Sequence, residues 1–228
     1  MKTFRLTFSI ANGITGCVNN NTFFGLFCEA YKRLHGVDLL EDMLESLYNN
    51  EHTLAFSNPL ETDSFKLADF ILDEIPHARL DRLGLVNNEL FVVEEKHIES
   101  FDVICITDLD EFEEVITQFK DMHIGSRKNV GKGLIKDIKC IETELPALGK
   151  TSRLLSNIVP CSNLPVHGNF DYLTRKGYTT KGTSQPTIVL MKAGSEFVNC
   201  KTNIVGKVLK FDDSYLNGVG IVIWQFLF

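Results

Sequence analysis

A chain of 228 residues, 44% of them hydrophobic, has material for one large core or two smaller ones. No stretch approaches the roughly 20 consecutive apolar residues of a membrane-spanning helix. The opening Met1-Lys2-Thr3-Phe4-Arg5-Leu6 has no apolar run behind its basic start, so a secretion signal is not expected. The formal net charge of −7 argues against indiscriminate nucleic-acid binding, but it averages two opposite regions. Residues 38–119 hold 21 acids against 4 bases, and the rest of the chain holds 9 acids against 19 bases.

Thr3 to Ile10 alternates strictly, with Phe4, Leu6, Phe8 and Ile10 on one face, and predicts a half-buried strand. Asn12-Gly13 and Gly16 break it. Asn19 to Thr22 offers helix caps before a helix in which Phe23, Phe27, Ala30 and Leu34 share a face and His35-Gly36 marks the end. A shorter helix is expected over Leu39 to Tyr48 and a short strand over Thr53 to Ser57. Phe65 to Ile75 reads as helical up to Pro76, and Asn87-Asn88 reads as a hairpin or irregular excursion between Leu83 and Val93. Asp102 to Thr107 is a strand. Asp108 and Asp110 then open a helix expected to reach about Met122, with Phe112, Val115, Ile116 and Phe119 as its buried stripe. Leu134 to Ile141 is the next strand.

This order is β, α, short β, insertion, β, α, β, the ferredoxin-like plan with one elaborated connection. The expected fold is therefore α+β: an RRM-like ferredoxin domain over residues 1–145 with an insertion at about 58–100. Pro146 and Gly149 mark a boundary. Residues 146–228 form a β-rich lobe, a candidate degenerate second copy, with strands over Arg153–Val159, Phe170–Thr174, Thr187–Lys192, Ile204–Phe211 and Gly220–Phe228.

Between the second helix and the strand after it lies Gly125-Ser126-Arg127-Lys128-Asn129-Val130-Gly131-Lys132-Gly133. Glycines let a backbone turn and present N–H groups, and Arg127, Lys128 and Lys132 supply positive charge, which together suit phosphates. The competing reading is a plain turn with solvated charges. Asn20 and Asn21 have two readings as well, a helix cap or a contact to RNA base edges and 2′-hydroxyls. Lys150, Arg153, Arg175, Lys176 and Lys181 are either solvated or line an RNA groove. The phenylalanines at helical spacing belong to the core. No catalytic constellation and no metal site are expected, since the six cysteines are scattered and read as reduced, mostly buried thiols in a cytoplasmic protein. His35, with Tyr31, Lys32 and Arg33 nearby, is the one candidate for acid–base cleavage of RNA, but its place at a helix end is also that of an ordinary terminal histidine.

Three features resemble the RAMP superfamily of CRISPR effector subunits: Asn20-Asn21-Thr22-Phe23-Phe24-Gly25 after the first strand, the strand end Phe56-Ser57-Asn58-Pro59-Leu60, and the Gly125 to Gly133 loop. The segment Arg79-Leu80-Asp81-Arg82-Leu83 ahead of Phe91, and the tail Val205-Gly206-Lys207-Val208-Leu209 with Gly218-Val219-Gly220-Ile221, extend the likeness. The nearest member type is the type III-A subunit that caps the 5′ handle of the guide RNA. The resemblance implies a non-catalytic RNA-binding scaffold without a cofactor. Its partners would be the crRNA, the large polymerase-like subunit and the backbone subunits. The Gly125 to Gly133 loop and Asn20 and Asn21 would contact the handle. A guide-processing endoribonuclease using His35 and a protein-only adaptor are the alternatives.

Overall fold

The computed structural model describes residues 1–11, 13–69, 71–80, 86–126, 131–162, 164–165, 167–176, 184, 186–212 and 214–224, with 71–80 and 86–97 as backbone alone. Strand β1 (Lys2–Ile10) follows the alternation: Phe4, Leu6, Phe8 and Ile10 are buried, and Thr3, Arg5, Thr7 and Ser9 are half-buried on the other face. After β2 (Ile14–Thr15) comes α1 (Asn20–His35). Its cap is Asn19, whose Oδ1 accepts from the Asn21 N–H at 3.0 Å while Thr22 Oγ1 accepts from the Asn19 N–H at 3.2 Å. Gly36 ends α1 at φ +91°, its N–H bonded to the Lys32 carbonyl, and the chain re-enters a helix at once as α2 (Val37–Tyr48).

Strands β3 (Leu54–Phe56), β6 (Ser100–Thr107) and β7 (Ile135–Glu142) complete one antiparallel sheet in the order β3-β6-β1-β7. That is the strand order of the ferredoxin-like plan, with β1 and β6 in the middle. The two strands between β3 and β6, β4 (Ile71–Leu80) and β5 (Val86–His97), pair with each other and with β2 in a separate three-stranded sheet. Here the expectations fail twice. The run expected to be helical up to Pro76 has no helix among its described residues: Phe65 to Asp69 are irregular apart from a bridge at Leu67, Ile71 to Ile75 belong to β4, and Pro76 sits inside that strand because β4 is an edge strand that can spare one donor. Asn87 and Asn88 lie within β5, and the link between the two strands falls on 81–85, outside the described residues.

The third helix, α3 (Phe112–Thr117), is also shorter than expected. Beyond it, Gln118, Phe119 and Met122 each bond back three residues, and Asp121 adopts φ +67°, which turns the chain so that its N–H reaches the Ile135 carbonyl at 2.9 Å. The apolar stripe holds nonetheless, with Phe112, Val115, Ile116 and Phe119 all buried. Together α1, α2 and α3 cover the Phe4–Leu6–Phe8 face of the sheet. Phe8 stacks on Phe101 at 5.1 Å and Phe4 on Phe112 at 4.8 Å. Each fully buried phenylalanine contributes on the order of 2–3 kcal/mol.

The rest of the chain is strands: β8 (Thr151–Leu154), β9 (Gly168–Asn169), β10 (Tyr172–Arg175), β11 (Ile188–Met191), β12 (Glu196–Val198), β13 (Ile204–Phe211) and β14 (Ser214–Trp224). Five form a sheet in the order β13-β14-β8-β12-β9, and β10 pairs with β11. No helix follows Glu142 among the described residues, so the crossovers that a second ferredoxin copy needs are missing there. The last strand begins at Ser214 rather than Gly220, and 225–228 lie outside the described residues.

This strand region closes against β3. Asn217 Nδ2 donates to the Leu54 carbonyl at 2.7 Å, Ser156 Oγ to the Phe56 carbonyl at 2.7 Å, and the Asn58 N–H to the Leu155 carbonyl at 2.7 Å. Ala55, Ile104 and Ile106 on the sheet's second face pack with Leu60, Leu155, Ile221 and Ile223.

Candidate nucleic-acid interface

The glycine loop starts and ends on a tight stem. Ser126 bridges Thr15: its N–H donates to the Thr15 carbonyl at 2.8 Å, its Oγ lies 3.0 Å from Thr15 Oγ1, and Thr15 Oγ1 donates to the Ser126 carbonyl at 2.8 Å. At the other end Ile124 N–H donates to the Gly133 carbonyl at 2.9 Å and the Gly133 N–H to the Gly13 carbonyl at 3.1 Å. Two of the loop's glycines are required by this stem. A β-carbon on Gly125 (φ +80°) would lie 2.5 Å from the Thr15 carbonyl oxygen, and one on Gly133 (φ +68°) 1.9 Å from that of Ile124. Gly131, at φ +77°, has open space where a side chain would go.

The stem therefore accounts for Gly125, Ser126 and Gly133, and the Gly133 N–H is not available to a phosphate. Arg127, Lys128 and Asn129 lie outside the described residues, while Lys132 is half-buried beside Gly131. Gly13, which the sequence marks only as a breaker after β1, and Thr15, which it does not single out, are the partners that clamp the loop. Their signal is the second glycine cluster, Gly13 and Gly16, placed where β1 must release the chain.

Asn20 and Asn21 part company. Asn20 is 3% exposed. Its Nδ2 donates to the Asn157 carbonyl at 2.9 Å, its Oδ1 accepts from the Asn157 N–H at 3.2 Å, and its own N–H donates to Asn58 Oδ1 at 3.0 Å. Its amide thus pairs with a backbone as a strand would, and it is spent on the fold. Asn21 is half-buried and lines a groove between α1, α2 and the β13–β14 hairpin. The His35 ring lies tilted against Tyr31 with centroids 4.5 Å apart, and its Nε2 is buried without a hydrogen-bond partner among the described residues. Asp108, expected at a helix start, accepts from the Thr53 N–H at 2.8 Å and faces His52 Nδ1 at 3.5 Å.

Among the described residues, the sheet face that an open RRM-like sheet offers to bases carries no aromatic platform. Its phenylalanines turn toward the helices, and the second face carries Arg5, Thr7 and the fully buried Asp102. Asp102 accepts from Arg5 Nη1 and Thr7 Oγ1, each at 2.7 Å, and from the Asp63 N–H at 2.8 Å. Arg5 also lies over the Phe65 ring at 4.9 Å. This ion pair, with its carboxylate fully buried, ties the segment after β3 to the sheet through the Asp63 N–H and the Ser64 carbonyl, and no local sequence pattern announces it.

Acidic side chains gather elsewhere. Asp42, Asp108, Asp110 and Glu111 line a groove of about 320 Å³ with Tyr31, whose hydroxyl is pushed up from the ordinary tyrosine value by burial and then by Glu111 and Asp42. Among the described residues no group of three or more His, Cys, Asp or Glu is placed to hold a metal ion. Of the cysteines only Cys105 and Cys200 are buried, Cys17 is exposed, and Cys28, Cys140 and Cys161 lie between, so the expectation of mostly buried thiols is corrected. Burial pushes Cys28 to about 12 and Cys140 to about 11, which keeps both as inert thiols at neutral pH.

No family model matches the sequence, and no curated protein does. Solved structures do match. A chain of the Csm3–Csm4 subcomplex in the type III-A CRISPR-Cas interference complex superposes with a TM-score of 0.63 at 13% identity, covering 98% of this chain and 99% of that one. A chain of the Csm1–Csm4 cassette in complex with AMPPNP gives 0.59 at 13% identity, with 100% and 99% covered. The same cassette in complex with cA4 gives 0.55 at 14% identity, with 97% of each chain covered. At such identities the likeness is one of fold, and it runs from end to end: this chain shares its fold with chains of the Csm3–Csm4 and Csm1–Csm4 assemblies.

Proposed function

We propose that the chain is a non-catalytic scaffold subunit of a type III RNA-guided complex, holding the 5′ handle of the guide RNA. The observation that carries this reading is the end-to-end match in fold, covering 97–100% of this chain, to chains from assemblies that contain Csm4 with Csm1 or with Csm3. By that likeness it would bridge a large polymerase-like subunit and the backbone subunits in a cytoplasmic ribonucleoprotein. The handle's phosphates would meet the Gly125 to Gly133 loop, whose stem is fixed to β2 and whose Arg127, Lys128 and Lys132 supply charge. The acidic groove beside Tyr31 does not suit this chemistry, since its carboxylates repel phosphate.

The test is binding of a handle-bearing guide RNA by the full chain. Arg127→Glu, Lys128→Glu and Lys132→Glu together should abolish it. Neutralising the same three positions should lower the slope of log affinity against log salt by roughly 2, about 0.7 for each phosphate contact to a single strand. Handle binding that survives the charge reversal would overturn the proposal. His35→Ala should leave guide length unchanged in cells; accumulation of longer, uncut guide precursor would favour an endoribonuclease instead.

A further inference from the structure

The groove that Asn21 lines has a volume of about 910 Å³ and two helical walls. On α2, Val37, Leu40 and Leu44 form a stripe at i, i+3 and i+7, and Val37 is 49% exposed. On α1, Asn21, Gly25, Cys28 and Lys32 form the facing stripe at i, i+4, i+7 and i+11. Gly25 is exposed in the middle of a helix, has ordinary helical backbone, and a β-carbon there would meet nothing within 4 Å. Glycine is among the poorest residues for a helix interior. Nothing among the described residues explains one at Gly25, and it leaves a notch in the wall of the groove.

Charge identifies what fits. The lining acids are Glu41, Asp42, Glu45 and Asp212, against Lys32, Arg175 and Lys210. Lys210 is already matched, by the Glu45 carboxylate, which Tyr215 also bonds at 2.6 Å. What remains is Glu41, Asp42 and Asp212 against two cations, no excess of positive charge for a phosphate backbone. An apolar stripe flanked by carboxylates instead complements an amphipathic helix with a basic margin. We infer that the α1–α2 groove is a docking site for an amphipathic basic helix of a partner protein. Its apolar residues lie on Val37, Leu40 and Leu44, its basic residues face Glu41 and Asp42, and its backbone passes close over Gly25. Helices packed this closely run 8–10 Å apart, a distance that a small residue at the crossing favours.

The experiment uses the purified full chain and a fluorescent synthetic peptide of about four helical turns, with leucines on one face and lysines beside them, and a twin with glutamates in place of the lysines. The basic peptide should bind saturably and the acidic twin at least about tenfold more weakly. Gly25→Leu, which fills the notch without strain, should weaken binding at least about tenfold. Its melting temperature should not fall and its affinity for the guide handle should be unchanged. Glu41→Lys with Asp42→Lys should weaken the basic peptide and favour the acidic one. The proposal is overturned if the basic peptide does not saturate, if both peptides bind alike, if Gly25→Leu has no effect, or if single-stranded RNA displaces the peptide. A loss of handle binding in Gly25→Leu would likewise overturn it, by making the groove part of the RNA site.

Discussion

The segment around Asn20 and the loop from Gly125 to Gly133 are built from the same kinds of residue, small and polar, at the ends of neighbouring elements. The molecule uses them differently. Asn20 is buried, and its amide substitutes for a strand by pairing with both backbone groups of Asn157. In the loop, a side chain at Gly125 or Gly133 would meet backbone, whereas one at Gly131 would meet open space. The contrast teaches that a polar residue type does not reveal whether it faces a ligand. What decides is whether every hydrogen-bonding group already has a partner inside the fold.

Substitutions can break or sharpen that contrast. The largest effect is expected from Gly133→Ala, which combines a left-handed backbone with a clash against the Ile124 carbonyl. It should cost about 3 kcal/mol or more in denaturant unfolding, and an unchanged midpoint would mean that the stem relaxes freely. Asn20→Ala should follow at about 2–3 kcal/mol, because it strands the N–H and carbonyl of Asn157 in a buried site. A loss of RNA affinity without a loss of stability would place Asn20 at the ligand instead. Gly131→Ala should cost only about 1 kcal/mol, since backbone strain is its sole penalty.

The smallest effect concerns the latch between α2 and the β13–β14 hairpin. Glu45 is held below the usual carboxylate range by hydrogen bonds from Lys210 and then Tyr215. A depressed carboxyl stabilises the fold above its ordinary pKa, about 4.3 for Glu, and loses that contribution as pH falls through the depressed value. Glu45→Gln should therefore melt slightly below the wild type at neutral pH. The gap should close in acid and shrink in salt, and a gap independent of pH would show that charge is not involved.

Much of the first sheet was legible because one periodicity dominated each element. β1 alternates without exception, and the stripe Phe112–Val115–Ile116–Phe119 is buried as its spacing implies. Where two signals competed, the local one lost. Phe65 to Ile75 read as a helix because the partner that makes Ile71–Leu80 a strand is β5, beyond any local window. α3 ends early because Asp121 is drawn to Ile135, across the glycine loop. The loop itself was visible as glycine and charge, but not the clamp from Thr15, 111 residues earlier. Nor was Asn20's partner, 137 residues on. Pairings that distant leave no trace in spacing, so the loop's composition was legible and its scaffolding was not.

The seam along β3 has a consequence for the order in which the molecule is made. The carbonyls of Leu54 and Phe56 are closed by Asn217, 163 residues later, and by Ser156, 100 residues later. During synthesis the first sheet can assemble once β7 has emerged, but its β3 margin is sealed in two later steps, at Phe56 and Asn58 when Ser156 and Leu155 emerge and at Leu54 only when β14 does. Until then the nascent chain exposes a strand edge able to pair with a neighbour.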